Sequence, residues 1–348
     1  MHRRKLLATA AYSAAGLTLP VSSWWTTAPA AATSRPAVSP RLVTQADIED
    51  VRNLTAFYSA RDQQRGGTSG RSALAGHLRD EAAPLLGSRF RTERHRRDTY
   101  SAVAEMTYIA GWMAFDASEH RTAQRYLTLA ARIAAEAGDG PLGGHILRAL
   151  AHQAVDLGHP RRALDLADAS MARTHYGQAS SREKALLSIV HARALAADGD
   201  RPGTLAAISR AERDLARADN EDAPDRVGFF QEASLAHETA CALRDLGNPV
   251  EAEIHFQRSV RTRRRQQYAR THSVTLGYLG AVQVQQGRLD EACGTWGQAL
   301  DAMVGVQSGR ARDVIVRMQS DLSPVRQRGG RHVVELDRRA REMLRAIG

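Results

Sequence analysis

Lysine is almost missing from this chain. Of 48 basic residues only Lys5 and Lys184 are lysines, so arginine carries the positive charge, a bias that a GC-rich genome produces without any phosphate-binding role. Cysteine is nearly as scarce. Cys241 and Cys293 alone exclude a disulfide framework and a thiolate metal cluster, and they read as buried free thiols. Aromatic residues make up 5% of a chain that is 43% hydrophobic, which points to alanine-rich, thin helix–helix interfaces. No stable membrane span is expected: the apolar run Leu6 to Val21 is sixteen residues long, includes Thr, Tyr and Ser, and is too short to cross a bilayer. Catalytic signatures are missing too. There is no HExxH, GxSxG or GxxxxGK[ST], so no enzyme activity and no cofactor are expected. Gly138, Gly140 and Gly143 spell GxGxxG but follow no strand, which a dinucleotide site requires, and are read as a turn. His145 and His152 share a helix face without a carboxylate or thiol at metal spacing, so no metal site is expected.

The formal net charge is +10, but Arg3, Arg4, Lys5, Arg35 and Arg41 all precede the first acid, Asp47. The body of the chain is therefore only mildly basic. Two clusters stand out, Arg89 to Arg97 and a run that places Arg258, Arg261 and Arg265 on one helix face. Both read as solvated helix ends, and no direct DNA contact is expected.

The stretch Ser273 to Ala302 spells a helical hairpin. Leu276, Leu279 and Gly280 lie on one helix face, Gly287 ends that helix, and Ala292, Trp296 and Ala299 recur at four and three residues on the next. This pattern resembles a tetratricopeptide repeat. In that reading Gly280 and Ala292 let two backbones touch, and Trp296 fills the hollow beside the neighbouring hairpin. Four more copies align on turns at Ser118, Gly158, Gly199 and Gly247, giving spacings of 40, 41, 48 and 40 residues up to Gly287. These exceed the usual repeat length, so the helices or the joints between hairpins must be longer. The matching slots hold Gly111, Ala123, Leu127 and Ala130 in the first hairpin, and Ala240, Ala252, Phe256 and Ser259 in the fourth.

The expected fold class is all-α: a tetratricopeptide-like superhelical solenoid of antiparallel helix hairpins with helical caps. Residues 1–42 form a leader or linker, 43–96 N-terminal capping helices, 97–305 five hairpins, and 306–348 C-terminal capping helices. Thr44 is the N-cap of the first cap helix, ahead of Asp47. A second helix is expected from Ser72 to Leu86 and a third from about Thr92. The closing helices run from Ala311 to Leu322 and from His332 to Ile347, separated by Pro324 and a Gly329-Gly330 turn. The leader MHRRK, its apolar run and the small-x-small pair Ala28 and Ala30 resemble a twin-arginine export signal with cleavage near Ala30. A flexible Pro-rich tether is the other reading.

YIAGWMAFDASEHRTAQRYLTLAARIAAEAGD, HILRALAHQAVDLGHPRRALDLA, ALRDLGNPVEAEIHF and QGRLDEACGTWGQAL resemble the C-terminal repeat region of actinobacterial, mostly streptomycete, Xre-type transcriptional regulators. That resemblance runs from about Gln45 to the C-terminus. It implies a cytoplasmic regulatory protein, here without the helix-turn-helix head that precedes such repeats, working through a peptide or protein partner. A homodimer stays open. In a right-handed stack the first helix of each hairpin faces the groove, and register places nine residues there. They are Glu105, Tyr108 and Trp112 of the first hairpin, His145, Arg148 and His152 of the second, Arg193 of the third, and His237 and Arg244 of the fourth. Aromatic and guanidinium groups of this kind suit an acidic or C-terminal peptide. Alternatively, the closing helices occupy the groove themselves.

Overall fold

A chain that turns back on itself every forty residues needs a residue in the left-handed region at each reversal, and glycine adopts it without a Cβ penalty. The computed structural model describes residues 41–218, 223–325 and 330–347. In it Ser118, Gly158, Gly199, Gly247 and Gly287 all have φ between 61° and 87°. The fourth turn illustrates the chemistry. Gly247 ends one helix, the Asn248 side chain accepts from the Glu251 N–H, and Pro249 opens the next helix where its missing N–H costs nothing. The leader, its Arg3-Arg4 pair, the cleavage point near Ala30 and Gly329 lie outside the described residues.

Fifteen α-helices result, and no β-strand forms among the described residues. The first two are α1 (Gln45–Arg65) and α2 (Arg71–His77). Then come α3 (Glu93–Asp116) with α4 (His120–Ala137), α5 (Gly140–Asp156) with α6 (Pro160–Ser170), the short α7 (Arg173–Tyr176), and α8 (Ser181–Asp198) with α9 (Arg201–Arg217). They are followed by α10 (Glu232–Asp245) with α11 (Pro249–Thr262), α12 (Ala269–Gln285) with α13 (Leu289–Ala302), α14 (Gly309–Leu322) and α15 (Arg331–Ile347). Helices pack in adjacent pairs, and each pair packs on the next. The extra length of the period sits partly in the helices, since α4 and α5 run 18 and 17 residues on either side of a short joint, and partly in longer joints, where α7 and a 3-10 turn at Asp225–Val227 are inserted. Thr44 forms a full capping box with Asp47. The expected Ser72 to Leu86 helix is instead broken, running as α2, a π turn at Leu78–Ala82 and a 3-10 turn at Ala83–Gly87 in which Pro84 stands at the start. The Gly138 stretch is the joint between α4 and α5: Gly138 is left-handed and Asp139 caps α5.

Gly280 has a different task from backbone contact with Ala292. A Cβ placed there would lie 2.3 Å from the Trp296 Nε1 and 2.5 Å from its Cδ1, so the glycine admits the indole. The same slot in the first hairpin behaves alike: a Cβ on Gly111 would meet Leu127 at 2.9 Å. Gly280→Leu should therefore cost about 1–3 kcal/mol by overpacking against a rigid ring. Urea unfolding followed by circular dichroism measures it, and an unchanged midpoint would contradict this packing.

The two ends of the helical series meet. α1 packs on both α3 and α12, the Gln307 N–H donates to the Arg65 carbonyl at 2.6 Å, and the Thr68 N–H donates back to the Gln307 carbonyl at 3.2 Å. Gly66 allows the approach, since a Cβ there would lie 2.4 Å from the Gln307 carbonyl oxygen. A buried ion layer completes the contact: Arg270 of α12 reaches Asp62 at 3.0 Å and Asp116 at 3.1 Å.

Candidate functional site

Helical spacing puts Tyr108 and Trp112 on one face of α3, and His145, Arg148 and His152 on one face of α5. The fold brings these faces together. Arg148 Nη2 donates to the Tyr108 hydroxyl at 2.6 Å and to His145 Nε2 at 3.2 Å, and its guanidinium lies 5.2 Å from the Trp112 ring centre. His152 stands edge-on to Trp112, with ring centres 5.8 Å apart, and its Nε2 accepts from Arg193 Nη1 at 2.8 Å. Arg193, on α8, also pairs with Asp156 at 3.0 Å and Glu238 at 3.2 Å. His237 lies further along, on α10. The Thr275 hydroxyl donates to the Thr271 carbonyl, so its oxygen accepts from His237 Nδ1 at 2.8 Å. Arg244 rests over the Tyr278 ring at 5.0 Å and pairs with Asp245 at 2.7 Å. Burial raises the Glu105 carboxyl above its ordinary range.

The sequence reading makes these nine residues the wall of an open groove. In the structure Tyr108, His145, Arg148, His152, Arg193 and His237 are only 1–3% exposed, while Glu105, Trp112 and Arg244 keep partial exposure. The cause is closure of the array. The end of α1 and the start of α14 lie against the same wall, with Arg310 of α14 reaching Asp156 at 3.4 Å and lying 5.4 Å from the Phe115 ring centre. A cavity of about 50 Å³ is left at the centre, lined by Trp112, Arg148, His152 and His237 of the expected set. Arg263, Arg270, Arg310 and Glu238 complete its charged lining, and sequence reasoning missed all four.

The chain matches no protein-family model and no curated protein. What the cavity wall can do follows from its charges. Among the described residues no cluster of His, Cys, Asp and Glu is arranged to hold a metal ion, and burial pushes the Cys241 thiol up to about 12. Glu238 is held at about 2: burial opposes this, but His152, which is charged only in acid, and the arginines Arg193 and Arg310 prevail.

The basic run after α11 is not a continuous face. α11 ends at Thr262 because Arg263 is extended, with ψ 135°, which throws Arg265 off the face shared by Arg258 and Arg261 and turns Arg263 inward to 7% exposure. Arg258 pairs with Glu232 at 2.8 Å, and Arg96 and Arg97 pair with Glu93. No helix among the described residues is long and apolar enough to cross a membrane.

The buried histidines set an acid limit. Burial lowers His145 and His237 well below 6.5 and His152 to about 4. The unfolded chain therefore takes up protons first as pH drops from 6.5, and stability is lost between pH 6.5 and about 4. For His152 alone the loss is about 2 kcal/mol by pH 5. Asp62, raised to about 6 chiefly by burial, and Glu105, also raised by burial, oppose this because the folded state protonates them first, but two carboxyls do not offset three histidines. The urea midpoint should fall between pH 7.5 and pH 5.0, and equal midpoints would contradict the burial of neutral imidazoles.

Proposed function

We propose that this chain is a non-catalytic regulatory binding protein, a tetratricopeptide-like superhelical solenoid that takes up a peptide or protein partner along the first helices of its hairpins. In this it is akin to the repeat region of the Xre-type regulators it resembles. The observation that supports the reading is the convergence of aromatic and guanidinium groups from successive hairpins: Trp112 of α3, Arg148 of α5, Arg193 of α8 and Arg244 of α10. Stacking on rings and forked hydrogen bonds from arginine hold carboxylates and peptide carbonyls well. An acidic or carboxylate-ended segment is the partner this chemistry favours. It meets the partly exposed Glu105, Trp112 and Arg244 first, because the other six residues are covered. The protein works in the cytoplasm on this reading, without contacting DNA itself, and a homodimer is compatible with it.

The test is recovery of partners from lysate with the parent chain and with a Trp112→Ala, Arg244→Ala variant whose melting curve overlays the parent. Loss of the partners in the variant supports the reading. Recovery of the same partners would move the binding surface to the outer side of α11 near Arg258 and Arg261. The exported alternative draws on the twin-arginine-like leader. A native N-terminus near Ala31 in the culture fluid, lost on changing Arg3 and Arg4 to lysine, would replace the cytoplasmic reading.

A further inference from the structure

Four guanidinium groups line the central cavity, and two of them have their charge matched. Arg270 is held by Asp62 and Asp116, and Arg310 by Asp156. Arg148 and Arg263 are different. They are 2% and 7% exposed, and among the described residues neither has a carboxylate within ion-pair distance. Arg148 bonds only the Tyr108 hydroxyl and His145 Nε2. Arg263 bonds the Ala233 carbonyl at 2.8 Å and the Ser259 hydroxyl at 3.0 Å. Glu238, the one carboxylate among the described residues of the cavity wall, is already engaged by Arg193. A guanidinium cannot escape this mismatch by losing its proton, and an uncompensated buried charge is expensive. Burial lowers Arg263 to about 10, the response of a cation without sufficient counter-charge.

The polar atoms around the cavity that find no protein partner agree. Among lining residues they are Arg148 Nε, Arg263 Nε and His152 Nδ1. His152 Nε2 accepts from Arg193, so its ring proton sits on Nδ1, and all three atoms are donors. A site short of a carboxylate and surplus only in donors calls for an acceptor that carries negative charge. We propose that the central cavity binds one small oxyanion, of carboxylate or phosphate type, against the guanidinium groups of Arg148 and Arg263.

Size limits the ligand. At roughly 10–15 Å³ for each water-sized probe, the 50 Å³ cavity holds about three to five, enough for a formate, acetate or phosphate ion. Trp112, Phe229 and Phe230 supply apolar walls, inside which the electrostatic attraction is far stronger than in water. This site stands independently of the partner reading, since it needs only the cavity and its charge.

Isothermal titration of the full chain, dialysed into a zwitterionic buffer, with sodium phosphate, sodium formate and sodium chloride at matched ionic strength tests the proposal. Saturable binding of phosphate or formate at one ion per chain is expected, with chloride at least tenfold weaker. Arg263→Gln should weaken the bound oxyanion at least tenfold, and Arg258→Gln, on the exposed side of α11, should leave it unchanged. Phosphate preferred over formate identifies a phosphate-type ligand, and the reverse a carboxylate. Heat that scales with ionic strength alone, or an Arg263→Gln chain that binds as tightly as the parent, would overturn the proposal. Where Arg263→Gln fails to fold, Arg148→Gln takes its place. Where both fail, the parent's stoichiometry decides: one saturable ion supports the site, and none refutes it.

Discussion

Replacing Trp296 by alanine lowers the unfolding free energy by about 3–5 kcal/mol, the range for deleting a buried aromatic side chain and leaving the space behind. The indole is 1% exposed and belongs to the core shared by α12 to α15. Its ring lies over Gly280, and its Nε1 donates to the Gly277 carbonyl at 3.1 Å. The hole cannot collapse easily, because Val314 of α14 already presses on Gly277: a Cβ there would lie 2.1 Å from Val314 Cγ1. Urea unfolding at neutral pH checks the figure, and a melt that overlays the parent would mean that Trp296 is not packed as described.

Arg270→Met should be as damaging, by about 3–5 kcal/mol, for an electrostatic reason. Arg270 is 3% exposed and holds Asp62 and Asp116, themselves 2% and 0% exposed. Without it two carboxylates face each other away from water. Burial already raises Asp62 to about 6 with Arg270 beside it, so removing the arginine pushes it higher. Because the folded pKa lies above the unfolded one, this loss grows as pH rises. The variant should recover part of its stability between pH 7.5 and pH 5.5 relative to the parent. A second change, Asp62→Asn, should restore more than a simple sum of the two substitutions predicts. Additive effects in that cycle would show that the pair is not coupled.

Local chemistry made much of the fold legible. A reversal needs a left-handed residue, and four of the five turns carry glycine. Thr44 followed three residues later by Asp47 announces a helix start. Trp296 and Leu127 each oppose a glycine in the same slot. The candidate site was only half legible for the converse reason. Tyr108, Trp112, Arg148 and His152 follow from helix periodicity, but what covers them does not. Arg270 meets Asp116 and Asp62 across 154 and 208 residues, and Arg310 meets His152 across 158. No repeat register reports contacts between the first and last hairpins. One signal was available: Asp62 continues the buried stripe Ile48, Val51, Thr55 and Tyr58 on α1, and an acid on a buried face asks for a cation. Arg263 was hidden by its run of arginines, in which only the break of α11 selects it.

The meeting of the two ends also bears on how the chain reaches its native state. An open row of hairpins folds from any point outward, because each unit touches only its neighbours. Such contacts are short in sequence and form quickly. The bonds from Arg270 to Asp62 and from Gln307 to Arg65 join the first and last elements, so they are expected to form after the hairpins between them. Weakening them should then leave refolding rates nearly unchanged and speed unfolding, which stopped-flow rates of Arg270→Met against the parent measure. On that order the closure would be a clasp on lifetime, holding the finished protein shut without helping to assemble it.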